Sequence, residues 1–289
     1  MIKRFVLSLA ISLTVTAITL YVTALRPLQR RWGVEPNEAA GPLPGDGAVS
    51  NPTVSDTRGI TIEATPAQIW PWLLQMGYHR AGWYSYDRLD NLMASVRDIL
   101  PEYQALAVGD IVPTYPGGGF RVEALEPERA LVLYLDSELV AAQTVEAEMK
   151  ESGAIEPAKG VEPESSVEGE ALAAEAQGEP VAEAAAPKPL EAAHEQMPTG
   201  LKFSGAVGQM AMPEFKASWA FVLQPIDEHA TRLIERFRVS APASGPMQRI
   251  GMPFIGLGVF LMSRKQMLGI KERAEQGPHT SSEPLSTAA

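Results

Sequence analysis

The sequence predicts an α+β protein: a curved antiparallel sheet wrapped around one long C-terminal helix, preceded by a single N-terminal transmembrane helix. Three observations carry this. An uncharged run extends from Phe5 to Leu25. Several short segments alternate apolar and polar residues, the period of half-buried strands. The last periodic segment, from about Pro253 to Glu275, has helical spacing instead. An antiparallel sheet that buries one face against a helix is a standard two-layer solution for such an order.

The N-terminal run is long enough to cross a bilayer, which needs about 20 mostly apolar residues. Thr14, Thr16, Thr19 and Thr23 fall within it, and a helix can satisfy their hydroxyls locally. A cleaved signal peptide is the alternative, but its apolar core is shorter, about 7–15 residues, and ends in a small-residue cleavage site. No Ala-x-Ala triplet follows here, so residues 1–31 are read as an uncleaved single-pass anchor in the cell membrane. Lys3 and Arg4 oppose Arg26, Arg30 and Arg31 across the span. The positive-inside rule therefore leaves the side of the soluble domain open.

The formal net charge of −11 is uneven. Residues 136–200 hold 15 acidic residues against 3 lysines, a net of −12, so the remainder of the chain carries +1. No basic stripe with interleaved aromatics suggests a nucleic-acid partner. The absence of cysteine excludes disulfides, thiolate metal sites and a cysteine nucleophile, and is compatible with either redox compartment.

Residues 32–57, rich in Pro, Gly, Asn and Asp, read as an extended linker. Ile60 and Ile62 then alternate with polar neighbours as in a strand. Thr65-Pro66-Ala67-Gln68 opens a helix, with Thr65 as cap, Pro66 in the first turn and Gln68 closing a capping box. Ile69, Trp72, Leu73 and Met76 form its apolar face, Pro71 interrupts its hydrogen bonding, and Gly77 ends it. Gly82 to Leu92 is an aromatic loop running into a short helix that Ser85 or Asp87 caps. Gly109-Asp110 marks a turn before another strand, and residues 120–125 and 130–135 form a strand pair. Pro116-Gly-Gly-Gly119 lacks the Lys-Ser/Thr and the helix of a phosphate loop.

Residues 137–200 are dominated by Ala, Glu, Pro and Gly, with no aromatic from 137 to 202. Such a segment buries too little apolar surface to offset chain entropy and is expected to be disordered, with transient helix around Val140–Lys150 and Glu168–Ala176. It interrupts a domain spanning 58–275, and loop closure makes such an insertion tolerable. Any protein partner of this acidic arm is unknown. Order resumes near Phe203. Trp219, Phe221 and Leu223 share one strand face, as do Leu233, Glu235, Phe237 and Val239 on the next strand. Arg232, Arg236 and Arg238 are expected on the solvent face. Residues 276–289 read as a disordered tail.

The element order resembles the helix-grip or START-like fold of the SRPBCC superfamily. Local phrases resemble its polyketide-cyclase-like, membrane-anchored bacterial branch. They include Trp32-Gly33 with Leu43-Pro-Gly-Asp46, Thr57-Arg-Gly-Ile-Thr-Ile-Glu-Ala64, Ile69-Trp-Pro-Trp-Leu-Leu-Gln-Met-Gly-Tyr78 and Gly82-Trp-Tyr-Ser-Tyr-Asp87. Further matches are Trp219-Ala-Phe-Val-Leu223, Thr231-Arg-Leu-Ile234 and Met267-Leu-Gly-Ile-Lys-Glu-Arg-Ala-Glu275. The acidic insertion departs from that pattern. The resemblance implies a hydrophobic cavity between sheet and terminal helix, not a particular reaction.

Within that frame, Trp83, Tyr84, Tyr86, Asp87, Trp219, Glu235 and Phe260 are the candidate contacts for a hydrophobic small molecule or lipid. Tyr and Trp suit a cavity mouth, with an apolar body and one polar handle; equally, they can pin a helix while Asp87 caps it. Glu235 shares its strand face with Leu233 and Phe237, where a carboxylate would be desolvated as a general acid or base requires. An edge strand or a bulge would turn it outward. His79, His194, His229 and His279 lack ligand spacing, so neither a metal nor a cofactor is expected. Ser85 and Ser204 lack a nucleophile-elbow context. The leading reading is a membrane-tethered binding module; the alternative is a cyclase or dehydratase with Glu235 or Asp87 as base.

Overall fold

The computed structural model describes residues 2–87, 94–151, 214–242 and 246–277, without the side chains of residues 2, 3, 5, 10, 151 and 246–255. The chain separates into two compact units, Met1–Glu148 with Met212–Ala289, and Met149–Ala211. The first is described below. The expected disorder of residues 152–200 and of the tail beyond Gly277, and most of the short helix after Asp87, fall outside the described residues.

Helix α1 (Ile2–Leu20) runs through a π turn (Tyr21–Leu25) into α2 (Arg26–Arg30). The helical segment Val6–Arg30 is long and apolar enough to cross a membrane. Two of its threonines are satisfied within it: Thr19 donates to the Val15 carbonyl at 2.8 Å and Thr23 to that of Thr19 at 2.7 Å.

Six antiparallel strands form one curved sheet in the order β1-β6-β5-β4-β3-β2. They are β1 (Val54–Ile62), β2 (Ile111–Tyr115), β3 (Gly118–Glu126), β4 (Ala130–Asp136), β5 (Lys216–Pro225) and β6 (Thr231–Ser240). Period-two alternation sorts their side chains onto two faces. Leu131, Leu133, Phe221, Leu223 and Leu233 point into the main core, where Trp72 and Leu73 of α4 (Pro66–Leu74) and Met267, Ile270 and Ala274 of the C-terminal helix cover them. Val132, Ala220, Val222 and Ile234 form a smaller core on the other face, under Leu43. The expected capping box holds, with Thr65 accepting from the Gln68 amide.

The N-terminal segment corrects one expectation. Instead of an extended linker over 32–57, this stretch carries α3 (Pro36–Ala40), a 3-10 turn (Asp46–Val49) and the first residues of β1, and it packs on the outer sheet face. The arginines expected to face solvent hold it there. Arg232 donates to Glu38 at 2.8 Å. Arg236 is buried and donates to the carbonyls of Glu38, Ala39 and Gly41, the orphan acceptors at the end of α3. Asp46 receives Arg236 at 2.7 Å and Arg238 at 2.6 Å. The proline- and glycine-rich composition signals a chain without regular structure of its own, which tertiary ion pairs then fix in place.

The start of the insertion is a second correction. Residues Ser137–Glu151 form helix α5. Its buried Gln143 accepts from the Gly119 amide and donates to the Gly119 carbonyl, both at 3.0 Å. A side chain at Gly119 would collide with the Val112 carbonyl oxygen, so glycine permits this close backbone approach. The C-terminal helix α6 spans Pro246–Gln276, seven residues earlier than the expected start near Pro253.

Candidate functional site

Strand parity assembles the site. In the ladder between β1 and β6, Arg58 lies directly opposite Glu235 and Asp56 opposite Phe237, without a register shift. Directly opposed residues share a face about 5 Å apart. The inner face therefore turns from apolar at Ile60, Ile62 and Leu233 to charged at Arg58 and Asp56. Glu235 sits on a regular, central strand, so the bulge or edge that would turn it outward does not occur.

Glu235 and Arg58 are each 1% exposed. Glu235 Oε1 accepts from Trp219 Nε1 at 2.8 Å and from Ser263 Oγ at 2.9 Å. Arg58 Nη1 approaches that same oxygen to 3.9 Å, an ion pair without a hydrogen bond. Glu235 Oε2 and Arg58 Nη1 have no hydrogen-bond partner. Removing two charges from water is costly, and attraction repays it only when the remaining polar atoms are satisfied. Here two are not.

The polar chain continues toward the N-terminal helix. Arg58 Nη2 donates to Asp56 at 3.0 Å and Arg58 Nε to the Gln29 carbonyl at 3.2 Å. Arg30 donates to the other Asp56 oxygen at 2.7 Å and to the Ser55 carbonyl at 2.9 Å. The end of the apolar helix is thereby clamped onto β1. Phe260 of α6 lies under the Arg58 guanidinium at 5.8 Å and edge-on to Trp32 at 6.4 Å.

At this junction lies a partly open cavity of about 90 Å³. Tyr21, Arg26 and Arg30 wall it from the N-terminal helix, and Asp56, Arg58 and Phe237 from the sheet. Gly256 and Val259 of α6 close the third side. Its volume is below the roughly 300–1,000 Å³ of pockets that enclose a whole drug-sized ligand. A Cβ at Gly256 would meet nothing within 4 Å, so this glycine helps leave the space open.

The seven sequence-derived candidates divide. Trp219, Glu235 and Phe260 meet at the charged end of the core with Arg58. Trp83, 6% exposed, is stacked behind Trp219 with centroids 5.3 Å apart. Phe120, Phe221 and Phe237 surround the same indole. Tyr84 is 2% exposed, takes a left-handed φ of 57° and donates to the Trp72 carbonyl at 3.1 Å. Burial pushes its hydroxyl pKa well above the ordinary tyrosine value, with Arg273 over its ring pulling the other way. Asp87 accepts the Ser95 hydroxyl at 2.5 Å, and Ser95 Oγ accepts the Tyr84 amide at 3.1 Å, so this part of the loop locks itself. Tyr86 is 43% exposed. None of these four is among the residues that line the cavity.

Sequence reasoning missed Arg58, Asp56, Ser263, Arg30 and Arg26. Parity could have found the first two, because Asp56, Arg58, Ile60 and Ile62 alternate on one face. Among the described residues no group of His, Asp and Glu is arranged to hold a metal ion.

Comparison with known proteins adds little. No family model matches the chain, and no curated protein matches it. The crystal structure of a conserved protein from Geobacillus kaustophilus aligns over 78% of this chain and 98% of its own, at 11% identity and a TM-score of 0.31. A likeness at that level carries no argument about fold or activity.

Proposed function

We propose that this protein is a membrane-tethered module of the START-like, helix-grip type that binds a hydrophobic or amphiphilic small molecule, such as a lipid, at the end of its sheet nearest the anchor. The observation that carries the reading is the cavity whose walls are shared by the N-terminal helix, the charged end of the sheet and the C-terminal helix. A site at the foot of a membrane helix receives its ligand from the bilayer without release into water. The aromatic packing around Trp219 argues against a large apolar chamber at that point of the core, so the ligand is held at the junction and not deep beneath α6.

The test is displacement of an environment-sensitive fatty-acyl probe from the full chain in detergent micelles. Saturable displacement by membrane lipid extract supports the reading. Signal that does not saturate, or that persists with heat-unfolded protein, contradicts it.

One observation favours a second reading, a cyclase- or dehydratase-type enzyme: Glu235 Oε2 is buried without a hydrogen-bond partner. A general base must reach the proton it abstracts. Glu235 is sealed behind Arg58, which keeps binding the preferred reading. Turnover of a polyketone substrate that Glu235→Gln abolishes would reverse that preference.

A further inference from the structure

The geometry points to an anion-recognition site at the junction: the cavity between the foot of the N-terminal helix and the sheet takes the phosphate or carboxylate headgroup of an amphiphile whose tail stays in the bilayer. This deepens the proposed function and rests on it.

Charge sets the sign of the ligand. Arg26, Arg30 and Arg58 line the cavity with Asp56, and Glu235 stands behind Arg58. Three guanidiniums against two carboxylates leave one positive charge uncompensated. Arg30 and Arg58 both spend donors on Asp56. Arg26 has no acidic partner among the described residues, although it stands in the cavity wall. Arg58, 1% exposed, keeps Nη1 without a hydrogen bond. Arg58 Nη1 faces Glu235 at 3.9 Å, so the guanidinium in the wall that suits a carboxylate or phosphate oxygen is that of Arg26.

Size and position set the rest. About 90 Å³ admits a headgroup and excludes an acyl chain. The tail must then lie along the apolar surface of the N-terminal helix, where Val6, Leu7, Leu9, Ile11, Leu13 and Val15 are exposed. Tyr21, in the same wall, is the residue type that marks a membrane–water boundary. Its π turn widens the helix at that level, a feature frequent at functional sites.

The experiment compares retention of phosphatidylglycerol and phosphatidylcholine with identical acyl chains by the full chain in mixed micelles, read as bound lipid per protein by native mass spectrometry. Inorganic phosphate is titrated in parallel by thermal shift. The variants are Arg26→Gln and Gly256→Leu. The leucine fills open space without a steric clash at Cβ, and loss of a helical glycine favours folding, so this variant keeps its melting temperature. The expected result is about fivefold preference for the anionic lipid, the size of one juxtamembrane arginine's contribution, lost in both variants. Phosphate that stabilises the protein and displaces the anionic lipid, with the same dependence on Arg26, sustains the anion site and names a soluble source. Equal retention of the two lipids, or a preference that survives both variants, overturns the headgroup site and leaves the binding module standing. Retention of neither lipid, with no response to phosphate, overturns both.

Discussion

The Glu235–Arg58 pair concentrates the chemistry of this molecule in two side chains. Each is buried, and each keeps a polar atom without a hydrogen bond. Removing one partner of such a pair leaves an uncompensated charge in the core, at a cost of about 3–5 kcal/mol. Glu235→Ala is therefore expected to lower stability by that amount in chemical denaturation. Replacing both residues by apolar side chains of similar volume is expected to recover most of the loss, because both desolvation penalties then disappear. Equal destabilisation by the single and double variants would mean that Arg58 and Glu235 do not interact. Trp219→Phe removes the indole donor to Glu235 and trims a ring packed against Trp83 and Phe221. It should cost about 1–3 kcal/mol, the penalty of leaving a buried acceptor short of a partner.

The elements were unequally legible in the sequence. Strands β4, β5 and β6 and helix α4 followed from period-two and helical spacing, because burial on one face dictates that spacing directly. Glu235 was legible for the same reason, once its strand proved central. The aromatic loop left two readings open, since the same Trp and Tyr side chains serve packing and binding equally well. The arginines of β6 were misplaced because nothing local reveals that a segment nearly 200 residues earlier covers them. That cover has a pH signature. The hydrogen bond from Arg232 holds the Glu38 carboxyl below its ordinary value. A carboxylate with a lowered folded pKa contributes stability that is complete above its unfolded pKa and is lost as pH falls through the folded one. Wild type should lose this contribution in acid, and Arg232→Gln should flatten that part of a stability-versus-pH curve. At α5, Gln143→Ala opens two hydrogen bonds to Gly119. Faster amide exchange across residues 137–148 and at Gly119, with the β4–β5–β6 amides unchanged, is the expected pattern.

At the scale of the whole molecule, the apolar helix and the sheet are one construction, since Arg30, Asp56, Arg58 and the Gln29 carbonyl join them through charged hydrogen bonds. The cavity at that joint takes Arg26 and Arg30 from the N-terminal helix and Asp56 and Arg58 from the sheet. Asp56→Asn weakens the joint by removing the charge that both arginines share. It is expected to increase proteolysis near residues 30–35 with little change in the sheet's own exchange protection. The most direct test of ligand binding at this joint is native mass spectrometry of the full chain taken from membranes in mild detergent, with no lipid added. A binding module should carry a reproducible bound mass that organic extraction removes and that the Gly256→Leu variant lacks. A clean unliganded mass from wild-type protein, or the same adduct on Gly256→Leu, would contradict it.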